Sequence, residues 1–334
     1  MHERQANDAR PGARAPALSV VIPMPRGYDA IRATVRSLEA QSSRDLLELV
    51  IVAPSARAVD LGQSELTWCR HIRIVDSGTM TSLGAAYAAG VRSATAPVVA
   101  LAEDHSYPAP DWAKALIERH GEPWGAVGPV VANANPGNAF GDAAYYMGYG
   151  RWAGGIPSGD IDDVPGHNSS YKRSILLDHG SELSALLEVE TILHWRLRTE
   201  GYRLYLEPAA RTNHHNPSTL MFLLKQSFHY GRLFAAARAR EWPGTRRALY
   251  TAASVLIPVV RLWRVGPQVR RTIGGGGLAR VLPALIIGLI TSAFGEMIGY
   301  AWGPGGAKSR LFTLECARDR HVKTVAAPRR SAAG

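Results

Sequence analysis

The chain has 334 residues, which is enough for one large domain or two ordinary ones with a sizeable core. A hydrophobic content of 46% and a charged content of 20% indicate a folded protein and exclude a disordered one. Cys69 and Cys316 lie far apart and lack metal-type spacing, so no disulfide framework is expected and a reducing, cytoplasmic setting is favoured.

The net charge of +10 resides in the C-terminal third of the chain. Residues 1–231 contain 21 Lys and Arg against 24 Asp and Glu, whereas residues 232–280 contain ten arginines against the single acid Glu241. These arginines flank apolar runs and are not interleaved with aromatic residues that could stack on bases. The pattern therefore predicts a membrane surface, not a nucleic acid, as the partner.

The first half of the chain alternates short apolar runs with stretches of helical spacing. Residues 1–16 are polar and lack an apolar core, so a disordered tail is expected there. Helices are predicted over 31–40 and 82–91, and strands over 18–22, 47–53, 71–75 and 97–101. The alternation predicts an α/β fold with a mostly parallel sheet, in which ligands bind beyond the carboxyl ends of the strands.

A second block covers residues 126–215. Its stretch 133–165 is rich in Gly, Asn and Asp, which predicts an active-site loop or a partly mobile segment. A helix is predicted over 186–200, a strand over 202–207, and an amphipathic helix over 217–240.

Two apolar runs follow, separated by a glycine loop at 274–277. The run 248–263 is shorter than the roughly 20 residues that a membrane-spanning helix needs. It is therefore predicted to be either half of a hairpin or an interfacial helix. The run 281–302 contains one acid, Glu296, and ends on aromatic residues, which predicts a transmembrane helix. A buried helix of a soluble core is the alternative.

Acidic and imidazole groups follow the predicted strand 97–101, at Glu103, Asp104 and His105. At the ligand edge of the sheet, such groups suit a divalent metal that bridges phosphate oxygens. Carboxylates suit Mg²⁺, and a histidine ligand favours Mn²⁺. The alternative is that these residues form a solvated turn that binds no metal. His214 ends the second block and is a further candidate ligand, because we expect it opposite this turn.

Several ordered segments resemble those of glycosyltransferase family 2, whose GT-A fold is a Rossmann-like mixed sheet. They are LSVVIP from residue 18, a helix with Gly84, Tyr87 and Gly90 that precedes LAEDHSYPAPDW, GHNSSYKRS at 166–174, and EVETILHWRLRTEGYRLYLEPAARTNHH up to residue 215. The resemblance covers residues 18–232. It implies transfer of a sugar, expected to be a hexose, from a nucleoside-diphosphate sugar to a hydroxyl of a lipid-linked or polysaccharide acceptor, in polysaccharide biosynthesis.

The resemblance also implies roles for individual residues. Glu103 and His105 occupy the outer positions of the family's metal and diphosphate motif, His214 closes the nucleotide site on the metal side, and Glu190 is the catalytic base, with Glu188 as a competitor. Further donor contacts are expected from Pro23, Pro25, Ser55, Gly84, Asp104, Asn168 and Arg232. Acceptor or diphosphate contacts are expected from Trp112, Gln226 and Tyr230. A single base predicts one in-line displacement that inverts the anomeric configuration.

The chain departs from the family where an aspartate usually reads the nucleotide base, because Ala53-Pro54-Ser55-Ala56 stands there. A catalytically degenerate, membrane-bound protein that binds nucleotide sugar or a glycan-assembly complex is therefore an alternative. A GT-A-like nucleotidyltransferase is disfavoured, because residues 23–28 form a poor phosphate-binding loop.

The sequence predicts four regions. A disordered tail covers 1–16, the GT-A domain 17–232, amphipathic or transmembrane helices 233–306, and a basic tail 307–334. This arrangement places the protein at the cell membrane with the catalytic domain in the cytoplasm.

Overall fold

The computed structural model of the chain describes residues 3–6 and 14–322. Its first part contains β1 (Glu3–Ala6), β2 (Leu18–Pro23), α1 (Tyr28–Glu39), β3 (Leu47–Ala53), β4 (His71–Asp76), α2 (Leu83–Ser93), β5 (Val98–Leu101), β6 (Ser106–Pro108), α3 (Trp112–Arg119) and β7 (Ala126–Asn133). All residues of β2, β3 and β5 are buried, as expected for continuous apolar strands covered on both faces. The four predicted strands are confirmed to within a residue or so.

The second part of the chain is mainly helical. It contains α4 (Ala139–Tyr149), β8 (Gly159–Ile161), β9 (Ser170–Lys172), α5 (Arg173–Asp178), α6 (Leu183–Leu186), α7 (Glu190–Thr199), β10 (Leu204–His214), α8 (Leu220–Arg238), α9 (Gly244–Ala253), α10 (Ile257–Trp302) and α11 (Ala307–Cys316).

The strands form one mixed sheet in the order β1-β4-β3-β2-β5-β9-β7-β10-β6, with β8 also paired to β10. Strands β2 to β5 are mutually parallel, β9 is antiparallel to both β5 and β7, and β10 is parallel to β7. Because β9 is antiparallel to both of its neighbours, β7 and β10 run in the same direction as β2 to β5. The carboxyl ends of β5 and β10, at Leu101 and His214, therefore lie at the same edge of the sheet.

Helix α2 packs unusually close to the sheet. A Cβ at Gly90 would collide with the Val21 side chain, and a Cβ at Gly84 would lie 2.5 Å from the Ser184 carbonyl oxygen. Both glycines of the predicted helix motif are thus explained by close packing, not by ligand contact.

The stretch 133–165 is more regular than predicted, because it contains α4. Asn138 begins this helix by accepting hydrogen bonds from the Phe140 and Gly141 amides. The predicted helix 186–200 is two helices, α6 and α7, and the second begins at Glu190. The predicted strand 202–207 continues in β10 as far as His214.

Helix α10 is a hairpin. Its backbone leaves the helical conformation at Gly274, where φ is 72°, so residues 257–273 form a first arm and residues 275–302 a second arm. Arg261 on the first arm pairs with Glu296 on the second at 2.6 Å. The hairpin alternative for the run 248–263 is therefore the one observed, and the charge of Glu296 has a partner.

The second arm packs tightly on α8. A Cβ at Gly295 or Gly299 would collide with a carbonyl oxygen of α8, that of Phe228 or Arg232 respectively. Helix α8 also runs across the domain boundary predicted at 232/233. The C-terminal helices therefore form one packed unit with the domain that precedes them.

Large apolar side chains remain exposed on α9, on the short turn at Ser254–Leu256 that follows it, and on both arms. They are Leu249, Val255, Leu256, Val259, Val260, Trp263, Ile286, Ile287, Ile290, Phe294 and Trp302. Among the described residues, one helical region, Gly244–Trp302, is long and apolar enough to cross a membrane. Half of its most apolar window is buried inside the protein.

Both predicted tails differ from the structure. Residues 3–6 of the predicted disordered tail pair with β4 as strand β1, while residues 1–2 and 7–13 lie outside the described part. The predicted basic tail 307–334 begins with α11, which packs on α8, and a turn at Arg318–His321. Residues 323–334 lie outside the described part.

Candidate active site

Three side chains converge at the shared carboxyl edge. Glu103 follows β5, His105 precedes β6, and His214 ends β10. The Nε2 atoms of His105 and His214 lie 3.4 Å and 3.6 Å from the two carboxylate oxygens of Glu103, and the three ligand atoms lie within 4.8 Å of one another. The structure thus brings the three predicted metal ligands together.

The Nδ1 atom of each of the two histidines contacts a side-chain oxygen of a nearby residue. His105 Nδ1 lies 2.7 Å from a carboxylate oxygen of Asp104, and His214 Nδ1 lies 2.9 Å from the Asn216 side-chain oxygen. This leaves both Nε2 atoms directed at Glu103, and buried His105 Nε2 has no hydrogen-bond partner. Metal-binding histidines have this arrangement, so the donor set of two imidazoles and one carboxylate fits a divalent cation.

The pKa values of Glu103, His105 and His214 are shifted in different directions. Burial alone would raise the pKa of Glu103, but His105 and His167 outweigh it and hold this pKa well below its usual range. Burial and Arg318 lower the pKa of His105, but Glu103 and Asp104 outweigh them and raise it to about 9. Burial lowers the pKa of the His214 imidazole well below its usual value, so this side chain is neutral and ready to ligate.

Glu190 faces the metal-ligand cluster across His167. The Nε2 atom of His167 lies 3.3 Å from the Glu190 carboxylate and 3.7 Å from the Glu103 carboxylate. Gly166 makes room for this approach, because a Cβ there would lie 2.8 Å from the Glu190 carboxyl carbon. Burial raises the pKa of Glu190 and His167 only partly offsets it, which is the direction that a general base needs.

The competing acid Glu188 is occupied elsewhere. Its carboxylate accepts hydrogen bonds from the Ser82 hydroxyl and, at 3.1 Å, from the Gly84 amide at the start of α2. Of the two acids, Glu190 is therefore the one whose carboxylate faces the metal ligands.

The C-terminal turn enters the same site. Arg318, 3% exposed, donates a hydrogen bond to the His215 carbonyl oxygen at 2.9 Å, and its guanidinium lies 3.4 Å from His214 Nε2. Glu315 pairs with Arg318 at 2.8 Å and also accepts a hydrogen bond from Gln226 at 3.3 Å. Glu315 thereby links the predicted acceptor residue Gln226 to the Arg318 guanidinium, which lies beside the predicted metal ligand His214.

One cleft connects these groups. It has a volume of about 1220 Å³, and nine predicted site residues line it: Pro23, Pro25, Glu103, Asp104, His105, Glu190, His214, Gln226 and Tyr230. Arg318 and His167 line it as well.

Four other predicted site residues do not line the cleft and make contacts within the fold. Ser55 caps a short helical segment by accepting from the Arg57 amide, and Gly84 packs against α6. Trp112 is fully buried, and its indole donates to the Asn168 carbonyl oxygen at 3.3 Å, so it cannot reach an acceptor. Arg232 is turned away from the cleft and donates to the Gly303 carbonyl oxygen at 2.9 Å.

Asn168 is a buried residue that contacts the Glu103 side chain. It adopts a positive φ of 66° and is fully buried. Its side-chain nitrogen donates to Ser106 Oγ at 2.9 Å and lies 3.4 Å from the Glu103 carboxylate. It therefore orients Glu103 and does not line the cleft.

Two residues of the site were not predicted. His167 stands inside the segment GHNSSYKRS, next to the predicted Asn168, and an imidazole beside a motif asparagine was a usable signal. Arg318 lies 104 residues after His214 in a region predicted to be a tail. Its contact depends on the folding of α11 over α8, which no local pattern encodes.

A family model matches part of the chain. Residues 19–180 match the model of glycosyl transferase family 2, so this part of the chain is a family 2 glycosyltransferase domain, and its mixed sheet has the GT-A fold. The predicted resemblance is confirmed.

Among solved structures, a crystal structure of GalNAc-T7 with UDP, GalNAc and Mn2+ is similar, with a TM-score of 0.49 and 13% sequence identity. The match covers 67% of this chain and 51% of that one, so this chain spans about half the length of that protein. No curated protein matches the chain significantly in sequence.

Proposed function

We propose that the chain is a metal-dependent, inverting glycosyltransferase that moves a hexose from a nucleoside-diphosphate sugar to a hydroxyl of a lipid-linked or polysaccharide acceptor. The observation that carries the proposal is the position of Glu190, which faces the Glu103, His105 and His214 cluster across His167. This arrangement supports a base and a bound cation that act on one substrate in the same cleft.

Glu103, His105 and His214 would hold the cation, which neutralises diphosphate charge as the leaving group departs. Two imidazoles beside one carboxylate favour Mn²⁺ over Mg²⁺, because Mg²⁺ prefers oxygen ligands. Arg318 adds a permanent positive charge next to the same cluster. The negative charge of the diphosphate would therefore be neutralised by the bound cation and by Arg318.

Glu190 acts on the acceptor. The acceptor oxygen attacks C1 of the sugar, the bond from C1 to the diphosphate oxygen breaks, and the hydroxyl proton passes to the Glu190 carboxylate. The nucleoside diphosphate leaves with the bonding electrons. Attack opposite the leaving group inverts the anomeric configuration. The raised pKa of Glu190 brings its basicity closer to neutral pH.

The exposed apolar side chains of α9 and α10 support association with the cell membrane, with the catalytic domain in the cytoplasm. Because half of the most apolar window packs inside the protein, a hairpin that lies on the bilayer surface is favoured over a lone spanning helix. Carbonate extraction distinguishes them, because it releases an interfacial hairpin and leaves a spanning helix in the pellet.

Thermal-shift screening against UDP-, GDP- and dTDP-sugars, with and without Mn²⁺, tests the donor half of the proposal. A ligand at a hundredfold its Kd stabilises the protein by about 2.7 kcal/mol. We expect at least one donor to stabilise the protein only when Mn²⁺ is present. If none does under either condition, the protein is not a nucleotide-sugar enzyme.

A further inference from the structure

The cleft has two ends of different charge. Its volume of about 1220 Å³ exceeds the roughly 300–1,000 Å³ of a small-ligand site, so there is room for a second substrate beside the donor. The metal-site end carries the carboxylates of Glu103 and Glu190. The far end, formed by α8, α9 and the first arm of α10, carries Arg238, Arg261 and Arg264.

The first arm presents one helix face to the cleft. Ile257, Val260, Arg261 and Arg264 all line it, and their spacing of three and four residues places them on one side of the arm. The charge of Arg261 is matched by Glu296 at 2.6 Å. Arg264 is exposed to solvent at the cleft, so it is available to an incoming anion.

Arg238 lies on the opposite wall, on α8. Its guanidinium donates to the Tyr300 hydroxyl at 3.2 Å and lies over the rings of Trp195 and Tyr250, 5.4 Å and 4.9 Å from their centroids. These contacts fix the position of its positive charge. Arg238 also interacts electrostatically with Glu296, which is itself paired with Arg261. Arg238 and Arg264 are therefore the cleft arginines of the far end that form no ion pair with a carboxylate among the described residues.

An apolar surface begins at the same end. Leu256 and Val260 line the cleft and are also 60% and 44% exposed. Val255, just before the first arm, and Val259 and Trp263 on it continue the exposed apolar strip. Contiguous exposed apolar surface of this kind marks contact with a lipid or a partner, and here it is continuous with a cationic cleft.

We propose, resting on the proposed function, that the acceptor is a glycan carried on a phosphate-linked lipid. Its hydroxyl reaches Glu190, its phosphate lies between Arg238 and Arg264, and its apolar chain leaves along Leu256 and Val260. In the proposed function the apolar strip lies against the membrane, so an acceptor carried on a lipid would enter the cleft from that surface. An uncharged glycolipid would leave Arg264 without an anion.

Calorimetric titration of the full-length protein with three probes tests the proposal. Farnesyl phosphate has both features of the lipid end, farnesol has only the chain, and inorganic phosphate has only the charge. We expect farnesyl phosphate to bind at least tenfold more tightly than farnesol, and inorganic phosphate to bind more weakly still. Equal binding of the alcohol and the phosphate ester, or no binding of either, overturns the proposal.

A matched pair of variants locates the site. Arg264→Gln removes a cleft arginine, whereas Arg270→Gln removes an exposed arginine of the same arm that does not line the cleft. We expect the first to weaken farnesyl phosphate binding about tenfold and the second to leave it unchanged. Equal losses would indicate general surface charge and overturn the proposed site.

Donor binding separates this inference from the proposed function. Mn²⁺-dependent nucleotide-sugar binding should be the same in both variants. If donor binding persists while farnesyl phosphate fails to bind, only the acceptor inference is wrong. If no nucleotide sugar binds, the proposed function itself fails.

Discussion

Residues 19–180 and residues 181–321 build the candidate site in different ways. The first region carries the family match, the parallel strands, and Glu103, His105 and His167. The second region lies beyond the match and is mainly helical, yet it supplies Glu190, His214 and Arg318 to the same cleft. The part of the sequence that matches the family model therefore supplies only three of these six residues.

Residues from distant parts of the chain meet at one edge of the sheet. His214 reaches the site because β10 runs parallel to β7 and ends at the same edge as β5. Arg318 reaches it because α11 packs on α8. Substitutions in the second region should consequently damage activity as severely as those in the first, and the following predictions test that equivalence.

The largest effect is expected at Glu190, in the second region. Glu190→Gln keeps the shape of the side chain and removes its basicity, so transfer should slow by about 10²–10⁴-fold while donor binding changes little. Glu200→Gln, at the exposed end of the same helix, is the control and should transfer at the wild-type rate. Wild-type transfer by Glu190→Gln would remove Glu190 from the mechanism, and NMR detection of a retained anomer would exclude a single displacement.

The next effect compares metal ligands from the two regions. Glu103→Gln and His214→Ala should each weaken Mn²⁺-dependent nucleotide binding by at least about tenfold, and the double variant should lose little more, because both act through one ion. His215→Ala is the control, since its ring lies against Tyr107, outside the ligand set. Full independence of the two losses in calorimetry would argue against a shared ion.

A somewhat smaller effect is expected at Arg318, in the C-terminal turn. Arg318→Gln should weaken nucleoside-diphosphate binding by about 1.5–3 kcal/mol, the magnitude of a charge-assisted hydrogen bond, and should leave nucleoside binding unchanged. Arg320→Gln changes an exposed arginine of the same turn and serves as the matched control. Equal affinities of the two variants for the diphosphate would show that Arg318 only anchors the turn.

The smallest effect compares two buried histidines that flank β9, one from each region. His120 contacts Ser170 Oγ at 2.9 Å and His194 contacts the Tyr171 hydroxyl at 2.8 Å. Burial lowers the pKa of His120 to about 4 and that of His194 to about 3, below the unfolded value of about 6.5. Both therefore stabilise the fold above the unfolded pKa, and this contribution is lost as pH falls toward the folded values.

Denaturant titrations at pH 7 and pH 4.5 measure this loss. We expect the wild-type protein to lose about 1–3 kcal/mol through each histidine over that interval. His194→Gln and His120→Gln should each flatten the decline. An unchanged pH dependence in both variants would contradict the buried neutral state of these side chains.

The parts that could be predicted from sequence have local causes. Strands β2 and β3 were predictable because runs such as LELVIVA leave no polar face for a helix. The resemblance to the family's ordered segments predicted that Glu103, His105, Glu190 and His214 belong to one site, and all four line one cleft.

Other assignments failed because a pattern does not give side-chain direction. Trp112 follows the metal motif in sequence but points into the core, and Arg232 lies on the predicted helix but faces Gly303. Arg318 was missed since nothing local indicated that residues 307–321 fold over the cleft. Tertiary packing decided all three.

Both regions contribute ligands to the proposed metal-dependent donor site. Calorimetric titration of the full-length protein with the nucleoside diphosphate of the best donor, in Mn²⁺ and in EDTA, alongside His214→Ala, tests this shared site. We expect tight binding in Mn²⁺ that falls at least about tenfold in EDTA and falls equally in His214→Ala with Mn²⁺ present. Binding that is indifferent to both chelation and the loss of His214 would contradict it.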